Sequence, residues 1–530
     1  MTQNTDQNKS FMYGAIILLI ANALVKVIGA IFKIPLTYIL NEEGMGYFST
    51  SYQMYTWMFI LATAGLPVAI SKMVSESHAR NRGYEVKRIF TVSMRLLMII
   101  GVFGCAVLYF GADFFATNLL KNSGAAHGIR AIAPAMLFVS AMSAYRGYFQ
   151  GLQNMLPTAC SEVAEALGKL LIGFSAAYLL ASYGTEKAAA GAVFGVSCGG
   201  AMGFLILFFI YHKNKSKTIH SEVTDSMSDS VILKKLIRIA IPITIGASVF
   251  SLTSLIDMAM IMRRLQAGGF AEDTANRLWG SYSGYAFPLF NLPPTLINAI
   301  TVSIVPAIAS AFAKKQYDMA SQTTCKSMKI TILISLPCSV GMSMLSAPIL
   351  DLIYNKTNAS ATLEILSLGI VFVSLVLVTN AILQATGNAI APVKNMIIGG
   401  IFKIAINYFL VANPDINIKG APIGTTACYV IILALNIIDM KKKMKIRFPV
   451  SELVIKPLIS VGAMAAVLLF AAPLFARSGK LIAAALPIAL GALVYAIVLV
   501  AVRGIDEDDI ALLPKADKLT RVCKKLKIIR

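Results

Sequence analysis

FVSAMSAYRGYFQGLQNMLPTACSEVAEALGK at residues 138–169 and FVSLVLVTNAILQATGNAIAPVKNMIIGGIFK at residues 372–403 decide how this chain is read. At an offset of 234 they align Phe138-Val139-Ser140 with Phe372-Val373-Ser374, Gln150 with Gln384, Asn154 with Asn388 and Lys169 with Lys403, without a gap. A lysine is rare inside an apolar helix, so its recurrence at the same place argues for an internal duplication. At a slightly different offset, Gly191 and Gly195 fall against Gly420 and Gly424, as a loop of altered length requires.

The surrounding composition fixes the solvent. Of 530 residues, 57% are hydrophobic and 14% charged, with mean hydropathy +0.72, whereas a soluble globular chain carries about 25% charged residues. A hydrocarbon core about 30 Å thick takes about 20 residues per helix, which allows roughly twelve to fourteen crossings here. Apolar runs lie near 11–33, 47–72, 89–116, 128–150, 157–182 and 188–211. After a polar stretch they resume near 236–262, 280–312, 327–350, 361–384, 392–412 and 418–440, and a last pair lies near 452–475 and 481–502. The expected architecture is an all-α polytopic membrane protein of two six-helix lobes plus two extra C-terminal helices. Six is even, so both copies enter the bilayer in the same direction, as in parallel-repeat transporters. The corresponding segments are 1–211, a basic linker at 212–235, 236–447, the extra pair at 448–503 and a basic tail at 504–530.

Net charge is +21, which follows from topology without nucleic-acid binding. With both termini in the cytoplasm, roughly 30 of the 47 Lys and Arg fall in cytoplasmic segments, about 9 outside and about 8 within spans. Inside clusters include Arg80, Arg82, Lys87 and Arg88; Lys213, Lys215 and Lys217; Lys314 and Lys315; Lys441, Lys442, Lys443, Lys445 and Arg447; and the tail from Lys515. The first apolar run is too long for a signal-peptide core, so the first helix is expected to stay. Four His, seven Cys without a CxxC pair and no HExxH, GxxxxGK[ST] or GxSxG stretch leave metal, P-loop and serine-hydrolase chemistry without a foothold. No cofactor and no enzymatic activity are expected.

A basic side chain at mid-membrane costs about 2.5–3.5 kcal/mol on insertion scales, so each one asks for a wet or paired environment. The candidates are Lys26, Lys33, Lys169 and Lys403. Asn22, Lys26, Gly29 and Lys33 form one stripe of the first helix, while Lys169 and Lys403 occupy the same depth in each half. Four cations against few acids favour an anionic substrate, a phosphate or pyrophosphate. Lys33 can alternatively snorkel to the headgroups. Glu162 and Glu165 open the fifth helix, and Glu165 four residues before Lys169 can pair with it. Asp257 can satisfy Arg263 or Arg264. Helix 8 carries Asn291, Pro293, Pro294 and Asn298, the composition of a bent cavity wall.

Arg146-Gly147-Tyr148-Phe149-Gln150-Gly151, with Asn154-Met155 and Pro157-Thr158-Ala159 after it, resembles the loop between helices 4 and 5 of stage V sporulation protein B-type polysaccharide transporters. Gly44-Met45-Gly46, Ala64-Gly65-Leu66-Pro67, Val305-Pro306-Ala307-Ile308, Ile382-Leu383-Gln384 and Gly420-Ala421-Pro422-Ile423-Gly424-Thr425 are similar to the same family, so the resemblance covers nearly the whole chain. It implies membership of the multidrug/oligosaccharidyl-lipid/polysaccharide exporter superfamily, with two lobes in a V around a central cavity and alternating access. Ion coupling or membrane potential would then drive transport. Related MurJ-like flippases carry undecaprenyl-pyrophosphate-linked cell-wall precursor from the inner to the outer leaflet. In them cations on helices 1, 2 and 8 line the cavity, and helices 13 and 14 hold the polyprenyl tail. Lys26 matches the first-helix cation and Lys33 lies one place beyond the second. Helix 2 holds no cation at Trp57-Met58-Phe59, and Phe287 stands near the expected helix 8 arginine. Lys169, Lys403, Arg263 and Arg264 are the candidate replacements, and Asn22, Arg146, Glu162, Glu165, Asp257, Asn291 and Pro293 the supporting or gating set.

The expected role is that of a monomeric flippase in the bacterial inner membrane whose partners are membrane lipids and a lipid-linked oligosaccharide on polyprenyl pyrophosphate, most directly a peptidoglycan precursor such as lipid II. Alternatives are a capsule or sporulation-specific oligosaccharide lipid, and a multidrug exchanger of the same superfamily, which a cation-lined cavity disfavours. A membrane glycosyltransferase would need acids in a large outer loop, where residues 262–279 offer Glu272 and Asp273. The small residues of helices 13 and 14 suit either a tail groove or oligomer contacts.

Overall fold

The computed structural model describes residues 2–214, 227–388, 390–444 and 448–504. Lys215 and Lys217 of the linker, Lys445, Arg447 and the tail from residue 505 lie outside them. All regular structure among the described residues is helical. Hydrocarbon offers backbone amides no water, and a helix satisfies them within one segment. Among the described residues, ten helices are long and apolar enough to cross a membrane, or eleven when the bent pair Ser360–Ser367 and Ile370–Ala385 counts as one span. Phe110, Ile390 and Phe470 are 82%, 80% and 79% exposed, the apolar outer surface that a bilayer covers.

Helical structure lies at each of the fourteen expected stretches, several of which are divided into shorter helices. The expected turn between the first two spans lies at Asn41 (φ 54°, ψ −163°), a kink where two helices meet within Thr2–Thr63, together called α1, with Pro35 ahead of it. That combination of positive φ and extended ψ is one glycine favours, so Asn41 holds a strained backbone there. The eighth stretch is broken where its prolines and asparagine predict a bend, as described below.

By its internal packing the chain forms two compact units. The first takes the described residues up to Arg263 together with Ala271–Gly280. It contains α1, α2 (Leu66–Ala79), α3 (Gly83–Phe110), α4 (Ala125–Ile132), α5 (Ala135–Gly151), α6 (Leu156–Gly168), α7 (Phe174–Leu180), α8 (Thr185–Asn214), most of α9 (Asp229–Ala267) and α10 (Glu272–Gly280). The duplication opens its second half with α9, yet Ile232, Leu236 and Ala240 of α9 share a core with Ile70, Met73, Ile89 and Met142. The later part of the long loop, Ala271–Gly280, is also folded into this unit. Asn276 of α10 is fully buried, accepts from Asn122 at 2.8 Å and donates to the Glu43 carbonyl at 2.9 Å. Glu272 accepts from the Ser123 amide at 2.5 Å, so the loop's leading acid caps backbone instead of standing ready for transferase chemistry.

The second unit takes Arg264–Phe270 and the described residues from Ser281. A wide helical turn at Ser281–Ala286 leads into α11 (Phe287–Phe290) and α12 (Leu292–Ala313). The break falls at Asn291, whose amide donates to the Phe287 carbonyl at 2.9 Å, and Pro293 occupies the first turn of α12, where its missing N–H costs nothing. Then follow α13 (Tyr317–Met344), α14 (Ser346–Tyr354), α15 (Ser360–Ser367), α16 (Ile370–Ala385), α17 (Ile390–Leu410), α18 (Gly420–Met444), α19 (Lys456–Phe475) and α20 (Lys480–Ala501). Three helices meet at Asn436, which donates to Thr379 and Asn380 at 2.9 and 2.8 Å and accepts from Asn395 at 2.9 Å.

The duplicated glycines make the same close approach in each unit. A Cβ on Gly195 would stand 3.0 Å from the Lys169 carbonyl oxygen, and one on Gly424 would stand 3.4 Å from that of Lys403. Small residues let the backbones meet without a side chain between them.

The hairpin of α19 and α20 turns at Gly479, whose φ of 88° suits glycine, and packs on α13. Tyr495 donates to the Leu333 carbonyl at 3.0 Å, and Gly491 admits Leu468 and Met464. Lys329 of α13 is buried, with its Nζ 3.4 Å from Glu452 just ahead of α19; Lys456 holds the same carboxylate. Glu452→Leu removes a carboxylate from beside a buried ammonium and is expected to destabilise the protein by about 2 kcal/mol, after discounting for Glu452's partial exposure. Lys329→Met added to it should recover most of that loss, as read from thermal unfolding in detergent.

Candidate functional site

A cavity of about 320 Å³ with charged and aromatic side chains set among apolar ones lies within the first unit, between α1, the α6 end of the fifth stretch and α8. From the first part of α1 it takes Asn22, Gly29 and Phe32, and from the second part Tyr52, Tyr55 and Phe59. Glu162, Glu165 and Lys169 close the facing side.

Lys169 owes its position to a local change of pitch. Residues Lys169–Gly173 form a wide π turn between α6 and α7, a device that re-aims side chains and concentrates at functional places. Gly173 and Gly195 keep α8 against that turn. The Lys169 ammonium then lies 4.5 Å from the ring centre of Tyr52 and 5.2 Å from that of Phe32. Cation–π contacts at a partly exposed position of this kind contribute about 1 kcal/mol. The rings continue as a ladder along α1. Phe48 stacks on Tyr52 at 5.9 Å, Tyr52 tilts against Tyr55 at 6.1 Å, and Tyr55 stacks on Phe59 at 5.9 Å.

The expected Glu165–Lys169 pair is replaced by a longer-range one. Arg146 of α5 donates to Glu165 at 2.9 Å and to Ser161 at 3.0 Å, so Glu165 is neutralised from another helix and Lys169 is left to the rings. Glu162, one turn before Glu165, keeps one carboxyl oxygen buried without a hydrogen-bond partner among the described residues. Lys33 is half-buried and near enough to Lys169 for the two charges to interact. Lys26 is exposed on the stripe between Asn22 and Gly29.

The cavity therefore gathers Asn22, Glu162, Glu165 and Lys169, with Arg146 and Lys33 adjoining. Other expected members lie elsewhere. Arg263 donates to the carbonyls of Asn118 and Leu119 at 2.8 and 3.2 Å, capping the turn after α3. Arg264 donates to the Tyr408 carbonyl at 2.8 Å with its guanidinium 3.9 Å from that ring. These are main-chain caps, so neither arginine supplies the charge missing from helices 2 and 8; Asp257 is buried on α9. Lys403 is half-buried on α17 of the second unit, where Asn291 and Pro293 also lie. The aromatic ladder is the part of the site absent from the sequence expectations. Its signal is the 48, 52, 55, 59 spacing, one face of a helix.

Apolar helices enclosing a cavity that mixes fixed cations, acids and rings define a polytopic membrane protein of transporter architecture. A family model described as polysaccharide biosynthesis protein matches residues 11–312, more than half of the chain, and one described as MatE matches residues 282–409. The chain belongs to the polysaccharide biosynthesis protein family. It is 25% identical over 449 residues to stage V sporulation protein B of Bacillus subtilis (strain 168), covering 84% of this chain and 86% of that one. Lipid II flippase MurJ of the same organism is 25% identical over 456 residues, with 82% and 83% covered. Among solved structures, lipid II flippase MurJ in an inward closed conformation aligns with a TM-score of 0.68 at 14% identity, covering 91% of this chain and 98% of that one, which shows a shared fold.

Arg146→Ala would leave Glu162 and Glu165 side by side in a half-buried site. A loss of about 1–3 kcal/mol is expected in thermal unfolding, and Glu165→Gln in that background should restore part of it.

Proposed function

We propose that this protein is an alternating-access flippase that moves an undecaprenyl-pyrophosphate-linked oligosaccharide, a peptidoglycan precursor such as lipid II, from the inner to the outer leaflet of the bacterial inner membrane. The observation that carries this reading is Lys169 lining a cavity inside a helical unit, with Lys33 close to it and Glu165 already matched by Arg146. A pyrophosphate brings several oxygens and more than one negative charge, which ammonium groups bind as point charges without fixed geometry. The relatives named as a sporulation protein and a lipid II flippase support the same substrate class.

In this reading both termini face the cytoplasm, and the protein moves its cargo without making or breaking a covalent bond. Lys403 supplies the second unit's cation, and the hairpin of α19 and α20 seats the polyprenyl tail. Membrane potential or a coupled ion supplies the drive. A multidrug exchanger is the second reading, favoured by the unpartnered Glu162 oxygen beside four aromatic rings, which suits an organic cation.

Reconstituted in liposomes, the protein is expected to make fluorescent lipid-linked oligosaccharide accessible to an outside reagent. Uptake of an organic cation without flipping would establish the exchanger instead. Lys169→Met and Lys26→Ala should each lower flipping about tenfold or more while the protein still inserts, the cost of one charge-assisted contact to phosphate. Lys403→Ala should behave likewise. Truncation after Arg447 should abolish flipping of the long-tailed substrate, whereas retained flipping would remove the hairpin from tail binding.

A further inference from the structure

On the other side of α1 from the Lys169 cavity, the first unit carries an apolar groove of about 480 Å³. Leu61 of α1, Ile100 and Phe103 of α3, and Ile237, Ile241 and Ile245 of α9 form its walls. Its floor is tight because Gly65 has no Cβ where the Ala240 backbone approaches. Thr244 is the polar side chain among the lining residues, and its hydroxyl accepts the Gly65 amide at 3.1 Å. Nothing in the groove is placed to recognise a sugar. It opens laterally, with Phe103 69% and Ile245 60% exposed.

One end of this groove is basic. Lys234 and Arg238 lie on the α9 stripe of Ile241 and Ile245, one to three turns toward the helix start; both are exposed and neither has a described partner. Arg95, on α3, is 71% exposed and reaches toward the same helix start, 3.7 Å from Asp229. That carboxylate is already held by Arg88 at 2.6 Å, and Lys235 is held by Glu76 at 2.9 Å. A surplus of positive charge therefore remains at the mouth of an apolar, laterally open slot.

We propose that this slot binds one anionic phospholipid, its phosphate between Arg95 and Arg238 and an acyl chain along Phe103, Ile241 and Ile245. The occupant is a bulk lipid because the slot opens to the bilayer and offers no group for an oligosaccharide. The charges select an anionic headgroup over a zwitterionic one, each cation contributing about fivefold near a lipid surface. The proposal does not depend on which cargo the protein transports.

Native mass spectrometry of the full chain, purified in detergent with phosphatidylglycerol or phosphatidylcholine added, tests it. The wild type should retain phosphatidylglycerol preferentially, and Arg95→Gln/Arg238→Gln should lose roughly 25-fold of that preference. Lys442→Gln/Lys443→Gln, which removes equal charge elsewhere, should keep it. Ile241→Trp, which fills the slot, should lower retention of both lipids, with thermal unfolding showing that the variants are folded. No preference in the wild type, an unchanged preference in the double arginine variant, or displacement of phosphatidylglycerol by stoichiometric polyprenyl pyrophosphate would each overturn the proposal. A Lys169→Met protein that no longer flips but keeps the preference separates failure of transport from failure of this site.

Discussion

A charge inserted into hydrocarbon is tolerated where a counter-charge, a ring face or a carbonyl is brought to it, since the alternative costs several kcal/mol. Four such partners come from another part of the bundle. Lys169 at the end of α6 is met by Phe32 and Tyr52 of α1, Glu165 by Arg146 of α5, Lys329 by Glu452 ahead of α19, and Arg264 by the Tyr408 ring and carbonyl of α17. Apolar side chains have little reason to prefer one helix neighbour to another in lipid, because lipid tails are equally apolar. Charges do have a preference, so each pair fixes which helices touch and at what depth. The cost of inserting these residues is converted into specificity of packing.

Glycine supplies the other half of that specificity. Where Gly173 meets Gly195, α8 comes close enough to a widened π turn for the Lys169 side chain to leave the helix toward the cavity. Gly399 and Gly424 carry out the related approach of α18 to α17 in the second unit, where Gly424 lies against Asn407 and the Lys403 carbonyl. The two matched segments thus share an arrangement of lysine on one helix and glycine on the next, with Gly195 against the Gly173 backbone and Gly424 against the Asn407 side chain.

That arrangement explains what can be read from sequence. Apolar run length, the 234-residue offset and the positions of Pro293 and Asn291 each depend on neighbours along the chain, and the all-α fold and the broken eighth stretch follow from them. The boundary between compact units does not follow, because Ile232 and Leu236 of α9 choose their core by contacts more than 140 residues away, with Ile89 and Ile70. Glu165 misleads for the same reason. Its spacing to Lys169 is ideal for a regular helix, but the π turn begins at Lys169 and Arg146 arrives from a different helix. Arg263 and Arg264 look like spare cations in sequence, since a backbone carbonyl that needs a donor leaves no mark in the residue types. The ladder from Phe48 to Phe59 was legible in spacing, yet in an apolar helix the same spacing equally describes a core stripe.

The second half of α1 is where these elements converge. Tyr55, Thr56 and Phe59 face the Lys169 cavity while Met58, Leu61 and Ala62 face the apolar groove, so eight residues separate two environments of different character. A helix buried in protein on both sides could be apolar all round, and one exposed to lipid would be apolar on its outer face alone. This segment is neither: its cavity face consists of rings that can accept a cation or stack against a sugar, and its other face is shaped for an alkyl chain. An amphiphile has the same two ends. On the function proposed above, a charged headgroup in the cavity and lipid on the outer surface would be kept apart by the two faces of this one segment of α1.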